Sequence, residues 1–149
     1  MEEIIIGALV LIFLTILFIA PNIKIVGINE AHVVERFGAF HKILNEKGVY
    51  FTIPLIDRVI QVVPLLETTK KFHFKIDKEG IGVQYHLEYQ YKVNDVVLFV
   101  YAALDSLDAI EMHIKNLILE NESINSESFA VLHETALTFG IELIDIQVK

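Results

Sequence analysis

Six histidines are the side chains of this sequence best suited to ligate a metal ion or to transfer a proton near neutral pH. They are His32, His41, His73, His86, His113 and His133. No two of them have the spacing of an HExxH helix or a His-x-His strand, the patterns that bring two imidazoles to one metal ion. His73 and His86 fall on the same polar face of two predicted strands, but the predicted register does not place them opposite each other. We therefore expect solvated histidines on polar faces and no metal site.

Two pairs of charged neighbours, Glu35-Arg36 and Asp57-Arg58, are the other candidates for acid–base chemistry. Successive side chains on a strand point to opposite faces, so neither pair converges on a substrate by itself. Local salt bridges or contacts between subunits fit these four residues better. The sequence contains no GxSxG, P-loop or GxGxxG motif. We expect no catalytic residue and no bound cofactor, and hence a protein that is not an enzyme.

The charge and cysteine content exclude further classes of function. The chain of 149 residues has a net charge of −8, and its densest basic position is the pair Lys70-Lys71. Such a surface does not follow a phosphate backbone, so nucleic acid is not an expected partner, and a polybasic lipid-binding patch is unsupported. The absence of cysteine rules out disulfides, thiolate nucleophiles and cysteine metal sites.

The first structural element along the sequence is an apolar amino-terminal segment. Ile4–Ala20 contains seventeen residues without a charge. As a helix it would span about 26 Å, which is enough to cross a membrane. We predict a transmembrane anchor over residues 1–22. Its lipid-contacting side chains include Ile4, Leu9, Leu11, Phe13, Leu17 and Phe18.

A cleaved signal peptide is the alternative interpretation of this segment, and three features oppose it. The first residues are acidic, bulky Phe18 lies where cleavage after Ala20 needs a small residue, and Pro21 would follow the cut. Lys24, the basic residue nearest the helix, lies on its carboxyl side. The positive-inside rule therefore predicts a single-pass protein of the cell membrane with its domain in the cytoplasm.

Strict alternation of apolar and polar residues over Ile81–Val93 predicts a long half-buried strand. An alternating segment before it, with a turn at Asp77–Gly80, predicts a hairpin in which Phe74 lies opposite Val83. The apolar face is expected to be buried and the polar face exposed. Tyr85 and Leu87 belong to the first face, Gln84 and Glu88 to the second.

Helical patterns follow the strands. One helix is predicted from Asn94-Asp95 to about Asn121, with Leu104 on its apolar stripe and Glu111 at its polar side. A second helix is predicted from an N-cap at Ser126 to the residue before Gly140. Strands grouped ahead of helices, with one further strand at the end, predict an α+β fold over residues 23–149, with mostly antiparallel strands packed with two helices.

The segment Asn29–Val59 resembles the opening of SPFH domains, the band 7 or stomatin–prohibitin family. The matching elements are Glu30-Ala31, Val33-Val34-Glu35-Arg36-Phe37-Gly38, Phe40, Leu44, Gly48, Phe51, Ile53-Pro54 and Ile56-Asp57-Arg58-Val59. Phe139-Gly140-Ile141 and the strand after it resemble the end of the same domain, so the resemblance covers about residues 22–149.

The resemblance implies a membrane scaffold that associates laterally and organises lipids or a membrane partner such as a protease. The partners it implies are the lipid bilayer, further copies of the chain or other SPFH family members, and a membrane protease or other membrane protein. Two alternative interpretations are a truncated regulator that co-assembles with full-length family members and limits their oligomerisation, and a membrane-tethered hydrolase.

The segment Phe51–Ile56 has two interpretations. The resemblance implies that it enters or rests on the membrane surface, whereas an ordinary core strand with a proline turn fits the same pattern. The side chains that would contact lipid are Phe51, Ile53, Pro54, Leu55 and Ile56.

Two features depart from the family pattern. The link Asn121–Ser126 between the predicted helices is short, and the sequence, which ends at Lys149, contains no heptad segment for a coiled coil. We therefore expect a short member that associates weakly, through strand edges and charged faces.

Overall fold

The computed structural model of the chain describes residues 1–78, 81–121 and 124–148. The chain divides into two compact units, Met1–Val62 and Val63–Lys149. An amino-terminal helix, antiparallel sheets and further helices follow one another along the chain. The predicted α+β class is therefore confirmed.

The first unit begins with helix α1 (Glu2–Ile19), which a single 3-10 turn (Ala20–Asn22) extends. Among the described residues it is the one helix long and apolar enough to cross a membrane. None of its side chains, all of which are described, is buried. Its 18 residues span about 27 Å at 1.5 Å per residue, which matches the hydrocarbon core of a bilayer.

Two small sheets follow α1 in the first unit. One pairs strand β1 (Ile23–Val26) with β4 (Gly48–Phe51) in antiparallel orientation. The other has the order β3-β2-β5, built from β2 (Glu30–Arg36), β3 (Ala39–Leu44) and β5 (Asp57–Pro64), of which residues 63–64 are assigned to the second unit. β5 lies at an edge, as the proline at its end predicts. A small core of Val26, Val34 and Leu44, with Tyr50 and Val59 packed against it, holds these strands together.

In its described residues, the second unit is an antiparallel sheet of order β6-β7-β8 with three helices. Its strands are β6 (Thr68–Lys78), β7 (Ile81–Val93) and β8 (Ile141–Val148). Its helices are α2 (Val96–Tyr101), α3 (Ser106–Asn121) and α4 (Ser126–Thr138). α4 packs on β8, and α3 packs on α4 and β6. The buried side chains come from one face of each element and include Leu87, Tyr89, Tyr91, Ile110, Ile114, Ile118, Leu132, Ala136, Ile141 and Leu143.

The helix predicted from residue 94 to 121 is two helices, and that prediction is wrong at its centre. Asp95 caps α2 by accepting hydrogen bonds from the backbone of Val97 and Leu98. Asp105 then caps α3, accepting from Leu107 at 2.9 Å and from Asp108 at 3.1 Å. The Ser106 hydroxyl, buried at the break, donates to the Phe99 carbonyl at 2.7 Å. A second capping aspartate thus restarts the helix.

Two further expectations for the helices are corrected. Leu104, predicted on the apolar stripe, lies in the break and is fully exposed. The cap of α4 is Asn125, whose side chain accepts from the Ser128 backbone at 2.7 Å, rather than Ser126. Gly140 does end α4 as predicted, at φ 71°. A Cβ atom there would lie 2.2 Å from the Asp95 carbonyl oxygen, so the close approach of α2 also requires glycine.

The β6–β7 hairpin has the predicted faces but a register shifted by two residues. Phe74 lies opposite Tyr85 instead of Val83, and Asp77, predicted in the turn, pairs with Gly82. Residues 79–80 of that predicted turn lie outside the described residues, as do residues 122–123 of the predicted helix link. A shift of two residues keeps every side chain on its face, because the side-chain period of a strand is two. Leu87 is buried and Gln84 exposed as predicted, while Tyr85 and Glu88 are intermediate.

Candidate membrane-facing surface

Helix α1 presents apolar side chains around its whole circumference. The six predicted lipid contacts, Ile4, Leu9, Leu11, Phe13, Leu17 and Phe18, are all exposed. The hydroxyl of Thr15, the polar interruption of the apolar run, donates to the Leu11 carbonyl at 2.8 Å. That bond satisfies the hydroxyl within the helix, which is what a hydrocarbon surrounding requires. The helix therefore has the surface of a membrane span.

The carboxyl end of this helix is closed by polar groups. Asn22 donates from its side-chain amide to the Phe18 carbonyl at 2.7 Å, and Lys24 Nζ donates to the Pro21 carbonyl at 2.9 Å. A cation is favoured here because the exposed carbonyls carry the negative end of the helix dipole. A lysine of this kind also belongs at a membrane–water boundary, where its ammonium reaches the aqueous side. The end of the apolar helix is thus marked by polar groups at residues 22–24.

The two-stranded ribbon of β1 and β4 has an apolar outer face. Ile23 lies opposite Phe51 and Ile25 opposite Val49, so these four side chains share one face. All four are exposed, Ile25 at 72% and Val49 at 71%. Soluble surfaces seldom gather apolar side chains in this way, and such patches mark contacts with a partner or a membrane. Of the four, Phe51 alone is among the lipid contacts predicted from the sequence, because alternation does not tell which face of a strand is exposed.

Thr52 shows why the apolar face of this ribbon points outward. Its backbone N–H and its hydroxyl both donate to the Asn22 carbonyl, at 2.9 and 3.0 Å, and the residue is buried. The polar side chain therefore faces inward and fastens β4 to the end of α1. The core-strand interpretation would bury Phe51 and Ile53, but both are exposed.

The loop after β4 carries the most exposed of the predicted lipid contacts. Leu55 is 93% exposed and adopts φ 64°, while Pro54 and Ile56 are half-buried. Phe37, also exposed, adopts φ 53°, and its N–H donates to the Ile56 carbonyl at 3.1 Å. A left-handed conformation costs a bulky residue about 1–2 kcal/mol, so surrounding contacts must hold these two loops in place.

Asp57 supplies that hold. Its carboxylate accepts hydrogen bonds from Arg36 Nε at 2.7 Å and Nη2 at 3.2 Å, and from the Ile53 backbone N–H at 3.0 Å. The Asp57 side chain is only 1% exposed. The guanidinium of Arg36, and then the Ile53 N–H, lower the pKa of Asp57 to about 2. A bidentate ion pair thus joins the Phe37 loop to the Leu55 loop.

The four predicted subunit-contact residues therefore have different environments. Arg36 and Asp57 bind each other across the two loops, a pairing that neighbour spacing did not predict. Arg58 is exposed, and Glu35 is half-buried. Whether any of them contacts another subunit remains a prediction.

The ion pair of Asp57 should persist on acidification to a pH at which carboxylates with an ordinary pKa are already protonated. An aspartate with a lowered pKa stabilises the fold above its unfolded pKa of about 4, and the stabilisation is lost as the pH falls toward 2. We expect the carboxyl ¹³C resonance of Asp57 to keep its ionised shift at pH 3.5. Asp57→Asn should abolish the signal and increase hydrogen exchange at Ile53. A midpoint near 4 for Asp57 would contradict the geometry.

The histidines lie in separate environments, with one exception. His32 Nε2 bonds Glu30 at 3.0 Å, and His133 Nδ1 bonds the Leu143 carbonyl at 2.9 Å. His73 and His86 lie directly opposite each other, contrary to the predicted register, with their Nδ1 atoms 2.8 Å apart. Within residues 1–78, 81–121 and 124–148, no group of three or more histidine, aspartate or glutamate side chains could hold a metal.

Comparison with known proteins gives a family match over most of the chain. The family model described as "SPFH domain / Band 7 family" matches residues 24–118, nearly two thirds of the chain. The matched segment starts just after the 3-10 turn that ends the apolar helix, and it stops inside α3. It includes the β1–β4 ribbon except Ile23, and both loops joined by Asp57.

Proposed function

Because the chain belongs to the SPFH domain / Band 7 family, we propose that it is a membrane-anchored organising protein whose domain rests on the bilayer and associates laterally in its plane. The proposal is carried by one observation, the apolar outer face of the β1–β4 ribbon directly after α1. Residues 1–22 are the proposed anchor and residues 23–149 the proposed domain. The domain has a structural role in this proposal and catalyses no reaction.

The order of elements supports contact between the ribbon and lipid. β1 starts at Ile23, one residue after the 3-10 turn that ends the anchor, so the ribbon emerges at the membrane boundary. Its exposed side chains Ile23, Ile25, Val49 and Phe51 would be costly to leave in water. Burying apolar surface contributes about 25 cal/mol per Å², so even partial insertion into the headgroup region is favourable.

The Leu55 loop adds a second point of contact. Asp57 fixes the loop from the inside, and the strained conformation at Leu55 projects the side chain away from the domain. A fixed apolar side chain loses little conformational entropy on insertion, which favours binding. Pro54 and Ile56 flank it and complete the proposed lipid contact.

Anchoring and surface contact together favour lateral assembly. Confinement to a plane raises the effective concentration of neighbouring copies, so weak contacts between domains become sufficient. The proposed partners are further copies of the chain, other family members, and a membrane protein such as a protease. The placement of Lys24 after the helix favours a cytoplasmic domain.

The proposal predicts two separable attachments to the membrane. The full-length chain should stay in the membrane pellet after carbonate extraction, and deletion of residues 1–22 should move most of it to the soluble fraction. The truncated chain should still bind neutral vesicles weakly. Leu55→Asp should weaken that residual binding without unfolding, since Leu55 is exposed and aspartate tolerates its φ.

Leu104→Asp is the matched control, because Leu104 is a fully exposed leucine of the second unit. It should leave vesicle binding unchanged. Release of the full-length chain by carbonate would refute the anchor. Equal vesicle binding by the two aspartate variants would refute contact through the loop.

A further inference from the structure

His73 and His86 form a pair of imidazoles on the outer face of the β6–β7 hairpin. Their Nδ1 atoms are 2.8 Å apart, and their ring centroids are 4.5 Å apart at an interplanar angle of 66°. Both side chains are exposed, so an ion from solution can reach them. The proposed membrane function uses neither residue.

The distance between the two nitrogens is suited to chelation. Imidazole nitrogens bind zinc at about 2.0–2.1 Å, and other first-row divalent ions at similar lengths. When each of two nitrogens 2.8 Å apart lies at that distance from one metal ion, the N–metal–N angle is about 85–90°. This is the angle between adjacent positions of a square-planar or octahedral complex. The hydrogen bond points the two nitrogens at each other, so each ring must turn by about 45° to direct its Nδ1 lone pair at the ion.

The sheet holds the two rings in this arrangement. His73 and His86 are direct partners in the antiparallel ladder, and paired residues continue on both sides, Phe72 with Leu87 and Phe74 with Tyr85. Directly opposite residues have Cβ atoms about 4.5–5.5 Å apart, whereas diagonal ones are about 7–8 Å apart. A site built on paired strands is therefore preorganised.

Both negatively and positively charged side chains surround the histidine pair. Glu88 lies two residues after His86 and therefore on the same face of the strand. Its carboxylate forms an ion pair with Lys71 Nζ at 3.5 Å, which offsets the positive charge of one ammonium near the site. Lys75 and Gln84 line the groove on the other side of the rings. The two imidazoles are therefore the proposed protein ligands, and water can fill the remaining coordination positions of the ion.

We propose that His73 and His86 chelate a divalent transition-metal ion through their Nδ1 atoms. In a pair of neutral imidazoles, one Nδ1 donates its proton to the other Nδ1. The ion, which lies off the line between the two nitrogens, breaks this hydrogen bond, and the donor's proton moves to Nε2 of the same ring by exchange with water. Both rings then bind through Nδ1 and carry their proton on Nε2. Two imidazoles with open positions favour Cu²⁺ most strongly, followed by Ni²⁺ and Zn²⁺, according to the usual order of affinities.

The test uses the untagged full-length chain in detergent, titrated with Cu²⁺ and followed by electron paramagnetic resonance, with Zn²⁺ titrated by calorimetry. One ion per chain should bind, with two equivalent imidazole nitrogens in the copper spectrum. His73→Ala and His86→Ala should each weaken binding at least about tenfold, since loss of a mere outer-shell partner already costs tenfold or more. His113→Ala, at another exposed histidine, should leave binding unchanged.

A register control separates this site from general histidine content. The double variant Gln84→His with His86→Ala keeps six histidines on the same faces, but places the moved ring diagonal to His73. It should bind as weakly as His86→Ala. Binding by the double variant equal to that of the unaltered chain, equal binding by all the alanine variants, or a single imidazole in the copper spectrum would overturn the proposal.

Discussion

Leu87→Asp is expected to unfold the second structural unit. Leu87 is 1% exposed at the centre of β7, where the sheet faces the helices. A carboxylate there would lose its hydration without gaining a partner, and truncation of a buried leucine alone costs about 2–5 kcal/mol. The free energy of unfolding of a native protein is only about 5–15 kcal/mol, so such a loss removes much of it. Near-ultraviolet circular dichroism and amide exchange of β7 in the full-length chain measure the outcome.

Glu88→Lys is the neighbouring control for that experiment. Glu88 points to the opposite face, and its ion pair with Lys71, at 3.5 Å, is largely exposed. Such pairs contribute about 0–1 kcal/mol, so the reversed charge should lower stability only slightly. Leu87→Ala should fall between the two. A folded Leu87→Asp variant together with an unfolded Glu88→Lys variant would show that the faces of β7 are assigned the wrong way round.

Glu111→Ala is expected to be the next most damaging change. Glu111 Oε1 accepts a hydrogen bond from the Tyr89 hydroxyl at 2.8 Å and binds Lys70 Nζ at 2.8 Å. Burial and the carboxylate raise the pKa of Tyr89, so its hydroxyl is protonated and donates. Without Glu111 the fully buried hydroxyl has lost this acceptor, which costs about 1–3 kcal/mol, and Lys70 loses its closer partner.

Chemical unfolding of the full-length chain in detergent should show a loss of about 2–3 kcal/mol for Glu111→Ala. Glu120→Ala, at an exposed glutamate of the same helix, should change stability by less than about 0.5 kcal/mol. Combining Glu111→Leu with Tyr89→Phe removes both hydrogen-bonding partners and should restore much of the loss. Additive losses in the double variant would mean that the two groups do not interact.

The position of Glu111 illustrates a limit of helical periodicity. The sequence placed it at the polar side of its helix, and it does lie at the border of the apolar stripe. Its carboxylate turns inward because β7 places a tyrosine hydroxyl, and β6 a lysine, within reach. A helix pattern read alone contains no information about what the facing sheet offers.

The hairpin register shows the same limit in a strand. Period-two alternation assigned the faces of β6 and β7 correctly, because a residue's face depends only on its parity. It does not distinguish registers that differ by two residues, since each gives the same faces. The observed register brings His73 and His86 together, and it sets the ladder on which the proposed metal site depends.

The apolar helix, the α+β class and the family follow from the sequence, because each depends on local composition, periodicity or a run of motif residues. The order of strands and helices follows as well, except at residues 94–121, where the one predicted helix is two. The tertiary structure, by contrast, settles which face of the β1–β4 ribbon points outward, since Thr52 turns inward to bond Asn22. It also decided that Arg36 pairs with Asp57, 21 residues away. These choices depend on groups that are distant in the chain, and pairwise contacts between distant residues leave no pattern in a single sequence.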